Sequence, residues 1–172
     1  AQGFVETEVD VDALVGRANA VAAILDRDTV IDRISNLELA YSPPFSSAMD
    51  IVNALGNAAD NLLSGRLEVI SPARFEKAWR SRDDENRFFL DCRAEQDGRP
   101  YAEKYPGRWI NIPQDELRSR INEIPRDKEI ILACNTGARS YEAQLNLREL
   151  GINGTLSLEG GIAALKKTGT DI

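Results

Sequence analysis

Residues 129–140 read Glu-Ile-Ile-Leu-Ala-Cys-Asn-Thr-Gly-Ala-Arg-Ser, and this stretch decides the fold. Residues 130–133 form an apolar run, which predicts a buried strand. Residues 141–150 carry alanine and leucine at spacings that predict a helix. Cys134 therefore lies between a strand end and a helix start, where unpaired backbone amides and the positive end of the helix dipole favour a thiolate.

The residues that follow Cys134 are suited to binding an anion. Gly137 lets the loop curl so that successive amides point at one spot, and Arg139 adds a fixed positive charge. We interpret Cys134 as a catalytic nucleophile; the alternative is a buried structural cysteine. The predicted anion-binding loop comprises Asn135, Thr136, Gly137, Ala138, Arg139 and Ser140.

From Leu67 onwards, strand and helix patterns alternate, which predicts a mainly parallel sheet covered by helices. Strands are expected over residues 69–70, 87–91, 109–112, 130–133 and 155–158. Helices are expected over residues 72–79, 114–121, 141–150 and 162–167, and a polar loop over 97–107. Since ligands bind beyond the carboxyl ends of parallel strands, Asp91, Arg93 and Cys134 are expected at the functional edge.

The first 64 residues have a different pattern, with predicted helices over residues 12–25, 29–34 and 47–63 and a short strand over 37–41. A segment of this length is marginal for an independent core. We therefore expect residues 1–64 to be a mostly helical partial domain and residues 65–172 to be a complete one. Since the chain starts with Ala rather than Met, we interpret it as a piece of a longer protein.

Composition excludes several classes of function. The 172 residues are 42% hydrophobic and 28% charged, which is ordinary for a globular protein, and the net charge of −7 argues against nucleic acid as a partner. These residues contain no apolar run of membrane-spanning length and no basic-then-apolar pattern, so we expect no membrane partner. We also expect no metal. Two cysteines, one in a reactive loop, fit a reducing cytoplasm.

Four motifs resemble those of rhodanese-like sulfurtransferases, and they occur in the same order. They are the loop Cys-x-x-Gly-x-Arg at 134–139, a strand ending in Asp-x-Arg at 88–93, a Pro-Gly segment at 106–113 and a Leu-x-Gly-Gly segment at 158–165. The resemblance covers about residues 67–172. It implies a rhodanese-like three-layer α/β fold whose loop cysteine carries sulfane sulfur as a persulfide.

Two positions depart from that family's pattern. Lys104 stands where the family often has histidine, and Leu165 stands where tryptophan is usual. Because the chain contains no histidine, activation of the cysteine is left to the loop amides, the helix dipole and Arg139.

The resemblance places two further residues, Asp91 and Arg93, beside the loop. Asp91 and Arg93 are expected to orient it through a charge-assisted pair, the alternative being a surface pair of little energetic worth. Cys92 either acts as a resolving thiol or, as we favour, packs at a strand end.

Residues 37–53 carry a second resemblance, to the end of the dimerisation domain of flavin-dependent coenzyme A-disulfide reductases. It covers about residues 7–63, and some members of that group of pyridine nucleotide-disulfide oxidoreductases end in a rhodanese domain. The parent enzyme it implies uses FAD and NAD(P)H to reduce coenzyme A disulfide, persulfide or polysulfide. In it, Tyr41 would reach the partner subunit's active site, unless it is simply an exposed or packed aromatic.

The chain itself has no Gly-x-Gly-x-x-Gly fingerprint, so we expect FAD, NAD(P)H and coenzyme A only in the parent enzyme. The expected partners of the chain are small-molecule or protein persulfide donors and thiol acceptors. A homodimer through residues 10–63 is also expected, although this segment could instead fold back on the second domain.

Two other functions were weighed against sulfur transfer. A phosphatase or arsenate reductase needs Cys-x5-Arg to surround a tetrahedral oxyanion, whereas Cys134 and Arg139 are separated by only four residues. A non-catalytic rhodanese-like binding or assembly module stays open because histidine is absent, although the retained cysteine argues against it.

Overall fold

Five parallel strands form the sheet at the centre of the second part of the chain. The computed structural model describes residues 11–25, 30–40, 49–170 and 172. The strands are β1 (Val69–Ile70), β2 (Arg87–Asp91), β3 (Trp109–Asn111), β4 (Glu129–Ala133) and β5 (Thr155–Leu158). Their order across the sheet is β1-β5-β4-β2-β3, and every neighbouring pair is parallel. The predicted parallel α/β sheet is confirmed.

The described residues also form seven α-helices and one 3-10 helix. The α-helices are α1 (Val11–Leu25), α2 (Ile31–Ser35), α3 (Ile51–Leu63), α4 (Pro72–Arg80), α5 (Glu95–Lys104), α6 (Ala138–Glu149) and α7 (Gly161–Lys167). The 3-10 helix spans Ile121–Glu123. In the part of the chain that is described, no helix has the length and apolar character needed to span a membrane. The chain divides into two compact units, Ala1–Ser64 and Gly65–Ile172.

Helices cover both faces of the sheet and give the second unit three layers. On one face, aromatic side chains of α4 and apolar side chains of α7 pack against the strands; this core contains Phe75, Trp79, Phe89, Ile131, Ile162 and Leu165. On the other face, α6 supplies the cover; this core contains Leu90, Ile130, Leu132, Ala143 and Leu147. Because side chains alternate along a strand, successive residues of β4 belong to opposite cores. The three-layer prediction is confirmed.

The polar loop predicted over residues 97–107 is wrong, because most of it forms α5. Gly98 and Pro100 both disfavour a helix, yet Gly98 lies where a Cβ atom would overlap the side chain of Asn111. Pro100 is exposed in the middle of the helix and removes one helical hydrogen bond. Tyr101 and Tyr105 pack against the core of the first sheet face, so tertiary packing outweighs these local signals.

The helix predicted over residues 114–121 is also wrong. The chain there forms turns in which amides bond to carbonyls three residues back, such as Glu116 N to Pro113 O at 2.9 Å and Ser119 N to Glu116 O at 3.0 Å. The 3-10 helix follows, and Ile124 is extended before Pro125. Since proline disfavours helical geometry in the preceding residue, a regular helix cannot continue here.

In the first unit, α3 begins at Ile51 rather than at residue 47. Asp50 caps it, accepting a hydrogen bond from Val52 N at 3.0 Å, and Arg17 of α1 forms an ion pair with the same carboxylate at 2.8 Å. Residues 37–40 do not form the predicted strand, because the side chain of Asn53 donates to Leu37 O, which a neighbouring strand would otherwise use.

Candidate active site

Cys134 follows the last residue of β4, and two elements hold the loop that it begins. Gly137 adopts a left-handed conformation, with φ at 104°, and turns the chain into α6. On the other side, the amide of Ile162 donates to Cys134 O at 2.8 Å and the amide of Ala163 to Asn135 O at 3.0 Å. The loop therefore leads into the first residues of α6 and is held by hydrogen bonds from the first residues of α7.

The sulfur of Cys134 has two polar neighbours. The amide of Gly137 lies 3.1 Å from Sγ and donates to it, and the hydroxyl oxygen of Ser140 lies 3.4 Å away. Both groups can donate a hydrogen bond to a sulfur anion, and such bonds are stronger to a charged acceptor. Cys134 is only 1% exposed, so its sulfur lies at the base of the loop.

The close approach of α7 to the loop depends on Gly161. Its φ is +62°, and a Cβ atom there would overlap the carbonyl oxygen of Cys134 and the carbonyl group of Asn135. Only glycine meets both conditions without strain. This is the physical reason for the second glycine of the Gly-Gly pair at positions 160 and 161.

Ser157 belongs to the site, although the sequence analysis did not single it out. Its hydroxyl oxygen lies 2.8 Å from that of Ser140, and Ser157 is 2% exposed on β5. The available signal was a serine between two leucines in a predicted strand of a helix-covered sheet, where a buried hydroxyl needs a partner.

The other predicted loop residues lie on the outer side of the turn. Asn135, Thr136, Ala138 and Arg139 are exposed. Within the described part of the chain, no ion pair or hydrogen bond involves the guanidinium of Arg139. Its positive charge therefore lies beside the loop without contacting the sulfur, and its predicted part in anion binding stays a prediction.

Asp91 and Arg93 form a buried ion pair at the end of β2. Nη2 of Arg93 lies 2.6 Å from Oδ2 of Asp91, and Nε of Arg93 lies 2.9 Å from Oδ1. Arg93 is 4% exposed and Asp91 is 0% exposed. Burial lowers the pKa of Arg93, but the hydrogen bonds and charge of Asp91 outweigh it and raise the pKa above its ordinary value. The alternative of a surface pair is therefore wrong.

The pair connects β2 to β3 and α5 rather than to the loop. Trp109 donates from Nε1 to Oδ2 of Asp91 at 2.9 Å, and the Arg93 guanidinium lies 4.6 Å from the ring centroid of Tyr101. Among the described residues, no side-chain hydrogen bond joins the pair to the loop. Any orienting effect on Cys134 would pass through the strands, and that role stays a prediction.

Cys92 lies in the core beneath the loop. It is 1% exposed, is not in a disulfide, and its amide donates to Ala133 O at 2.8 Å, so it continues the pairing of β2 with β4. Burial, the Asp91 charge and Cys134 all raise the pKa of the Cys92 thiol well above its ordinary value. These features match the packing interpretation and make Cys92 a poor nucleophile.

Lys104 and Leu165, the two departures from the family's pattern, belong to α5 and α7. Lys104 is exposed at the end of α5, with Nζ 5.0 Å from the ring centroid of Tyr105. Leu165, at the position where tryptophan is usual in the family, is fully buried in the core of the first sheet face. Tyr41 lies outside the described residues.

The described residues do not form a metal-binding cluster. Across the described ranges, no group of three or more Cys, Asp or Glu side chains is arranged to hold an ion. An open groove of about 490 Å³ has α5 along one side, but its charged side chains are paired with each other, as in Arg99–Glu103 and Arg120–Glu116. The Cys134 loop does not line this groove. Because the charged side chains of the groove are already paired, we place the candidate site at the loop and not in the groove.

Comparison with known families agrees with the geometry of the loop and sheet. The sequence profile of the rhodanese-like domain matches residues 75–168, which is more than half of the chain. This chain belongs to the rhodanese-like domain family. The match includes the ion pair at the end of β2, the Cys134 loop and the Gly-Gly pair at the start of α7.

Two curated proteins resemble the rhodanese-like domain in sequence. A sulfurtransferase from Allochromatium vinosum is 36% identical over 63 residues, and the uncharacterized protein YqhL from Bacillus subtilis is 41% identical over 51 residues. The matches cover 37% and 30% of this chain. They cover 59% and 40% of those relatives, so the similarity spans less than two thirds of their length.

Two solved structures resemble nearly the whole chain. The reduced CoADR-RHD of Bacillus anthracis has a TM-score of 0.74 and 30% identity, and the match covers 90% of this chain. An NAD-dependent persulfide reductase from A. fulgidus has a TM-score of 0.68 and 35% identity, with 87% covered. The chain spans only about a quarter of each of those proteins, 26% and 25%.

Proposed function

We propose that the rhodanese-like domain is a sulfurtransferase that carries sulfane sulfur as a persulfide on Cys134. The observation that carries this proposal is the position of Sγ, 3.1 Å from the Gly137 amide at the junction of a strand and a helix. A fixed N–H donor and the helix dipole favour a sulfur anion there without a histidine base.

The reaction has two half-steps. In the first, the Cys134 thiolate attacks the outer sulfur of a donor R–S–S⁻ or of thiosulfate, a new S–S bond forms, and the donor leaves as a thiolate or as sulfite. In the second, an acceptor thiolate attacks the outer sulfur of the Cys134 persulfide and the cysteine leaves as a thiolate. No net oxidation occurs, so the domain needs no redox cofactor for this transfer.

Turnover is tested by supplying thiosulfate and a thiol and measuring the sulfite released. We expect sulfite to accumulate over many turnovers with the unmodified chain and with Cys92→Ala, because the buried Cys92 takes no part. Cys134→Ser should release none. Equal release by Cys134→Ser would overturn the proposal.

We further propose that this chain is the rhodanese-containing part of a longer reductase that uses FAD and NAD(P)H on coenzyme A disulfide, persulfide or polysulfide. The likeness to the Bacillus anthracis CoADR-RHD and to the A. fulgidus persulfide reductase, over 90% and 87% of this chain, supports it. In such an enzyme the cofactors and Tyr41 would act in the reductase part, and residues 10–63 would pair two subunits.

The donor preference tests this finer proposal. A coenzyme A persulfide should load Cys134 faster than thiosulfate at equal concentration, measured as sulfur bound against time. Equal rates, or faster loading by thiosulfate, would contradict a coenzyme A-linked role while leaving sulfur transfer itself intact.

One observation favours the second candidate, a non-catalytic binding or assembly module. Cys134 is 1% exposed, and the described contacts of the sulfur do not include Arg139. On that account the cysteine would take up no sulfur from any donor, and the turnover experiment separates the two functions directly.

A further inference from the structure

Three side-chain atoms form a chain that runs from the Cys134 sulfur towards β5. Sγ lies 3.4 Å from the Ser140 hydroxyl oxygen, which in turn lies 2.8 Å from the Ser157 hydroxyl oxygen. Ser140 is fully buried and Ser157 is 2% exposed. Buried hydroxyls must satisfy their hydrogen bonds within the protein, so their protons have few possible positions.

Ser140 has one proton and three neighbours that could receive it. Besides the sulfur and Ser157, the carbonyl oxygen of Gly137 lies 3.1 Å away. When Cys134 is a thiol, its S–H can donate to Ser140, and Ser140 can donate to the Gly137 carbonyl. Ser157 then donates to the second lone pair of the Ser140 oxygen, and every group is satisfied.

A negative charge on the sulfur changes the best arrangement. The Ser140 hydroxyl can rotate so that its proton points at Sγ, where the bond is charge-assisted. The Gly137 carbonyl loses that donor but keeps the amide of Tyr141, which donates to it at 3.0 Å. Because no buried acceptor is left unpaired, the rotation costs little.

We propose that Ser157 is a positioning residue for Cys134. Its hydroxyl donates to Ser140 and thereby directs the Ser140 proton towards the sulfur anion. The donation also polarises the Ser140 O–H bond, which strengthens the bond that Ser140 gives. The two serines thus form a switch that follows the charge of the sulfur. The inference rests on the proposed function in taking the Cys134 thiolate as the reacting form.

The test is the pH profile of Cys134 alkylation by iodoacetamide, followed by mass spectrometry of the peptide that contains Cys134. Ser157→Ala should slow alkylation near neutral pH about fivefold and move the midpoint of the profile to higher pH, with an unchanged plateau. Ser157→Thr, which keeps the hydroxyl, should restore the profile. Thr155→Val is the matched control, because Thr155 is buried on the same strand two residues away, and it should leave the profile unchanged.

A double-mutant cycle separates a switch from a loss of packing. Since Ser157 acts through Ser140, Ser157→Ala should add no further shift in a chain that already carries Ser140→Ala. A midpoint that does not move in Ser157→Ala, a change in the plateau alone, or additive shifts in the double variant would each overturn the inference. Ser157→Thr with the Ser157→Ala profile would overturn it as well.

The experiment uses no sulfur donor, so it is independent of sulfur transfer. A coupled shift without any sulfur loading would refute the proposed function and leave the switch in place. Sulfur loading on Cys134 with an unmoved midpoint in Ser157→Ala would refute the switch alone.

Discussion

The two units of the chain differ in where they keep their large apolar side chains. In the described part of the first unit, one apolar side chain, Val52, is buried, and nine large ones are strongly exposed. The second unit buries all its large apolar side chains at least partly, in two cores on either side of a sheet. A domain that closes its own core can hold a reactive loop in place, whereas exposed apolar helix faces are typical of contact surfaces.

The positions of the two tryptophans allow unfolding of the second unit to be measured by itself. Both of them, Trp79 and Trp109, are buried in the second unit. Tryptophan fluorescence therefore reports unfolding of the second unit alone, and far-UV circular dichroism reports the helices of both units.

The largest effect on stability is expected from Asp91→Ala. It leaves Arg93 buried without its counter-ion and Trp109 Nε1 without its acceptor. Removing one partner of a buried pair costs about 3–5 kcal/mol. Urea unfolding followed by tryptophan fluorescence should show this loss in the second unit. A loss below about 1 kcal/mol would mean that the pair is not the structural link described here.

Gly161→Ala should have the next largest effect. The added Cβ meets a left-handed backbone and overlaps the carbonyl groups of Cys134 and Asn135, so we expect a loss of at least about 2 kcal/mol and slower sulfur loading. Gly169→Ala is the matched control, because Gly169 has a similar φ of +72° and no atom within 4 Å of the added Cβ. It should cost about 1 kcal/mol and leave loading unchanged. Equal effects at both glycines would contradict the contact between α7 and the loop.

A smaller, pH-dependent effect on the free energy of unfolding is expected when Asp50 of the first unit loses its charge. The hydrogen bond from Arg17 lowers the pKa of Asp50, with burial opposing it and the Val52 amide assisting. A lowered pKa means that the carboxylate stabilises the fold above its unfolded-state pKa and that this contribution is lost as the pH falls. Because Arg17 is partly exposed, the pair should contribute no more than about 1 kcal/mol.

The measurement at Asp50 is helicity against urea at two pH values, one well above the ordinary aspartate pKa of about 3.9 and one below the lowered pKa of Asp50 in the folded chain. Asp50→Asn keeps a capping oxygen but loses the charge, so it should differ from the parent chain only at the higher pH. A difference that is equal at both values would show that the charge plays no part.

The smallest effect on stability, and the sharpest contrast with the second unit, is expected from Leu63→Ser. Leu63 is 78% exposed, so the change should alter the free energy of unfolding by less than about 0.5 kcal/mol. If residues 10–63 pair two chains, the same change should weaken self-association in sedimentation velocity. A monomeric parent chain at all concentrations would contradict the predicted homodimer.

Much of the second unit could be predicted from the sequence because its strands are short apolar runs between clear breaks. Residues 87–91 and 155–158 form strands with the predicted bounds. Residues 95–104 could not be predicted as a helix, since Gly98 is there for its contact with Asn111 and the tyrosines gain their stability from the sheet. Such contacts join segments distant in the chain and leave no local pattern.

The candidate site also contains features that could be predicted from the sequence and others that could not. The position of Cys134 between a strand and a helix follows from neighbouring residues, and so does the turn at Gly137. Ser157 could not be found in this way, because it reaches the sulfur only through Ser140 across two paired strands and a helix. The Asp91–Arg93 pair was predicted as a pair, but its burial depends on Trp109 and Tyr101, which come from other elements.

The central claim is that Cys134 alone carries the sulfur, and intact-mass spectrometry after brief exposure to thiosulfate or a coenzyme A persulfide tests it most directly. The account predicts a gain of one sulfur atom by the unmodified chain and by Cys92→Ala, and no gain by Cys134→Ser. The same gain in Cys134→Ser, or no gain in the unmodified chain with either donor, would contradict it.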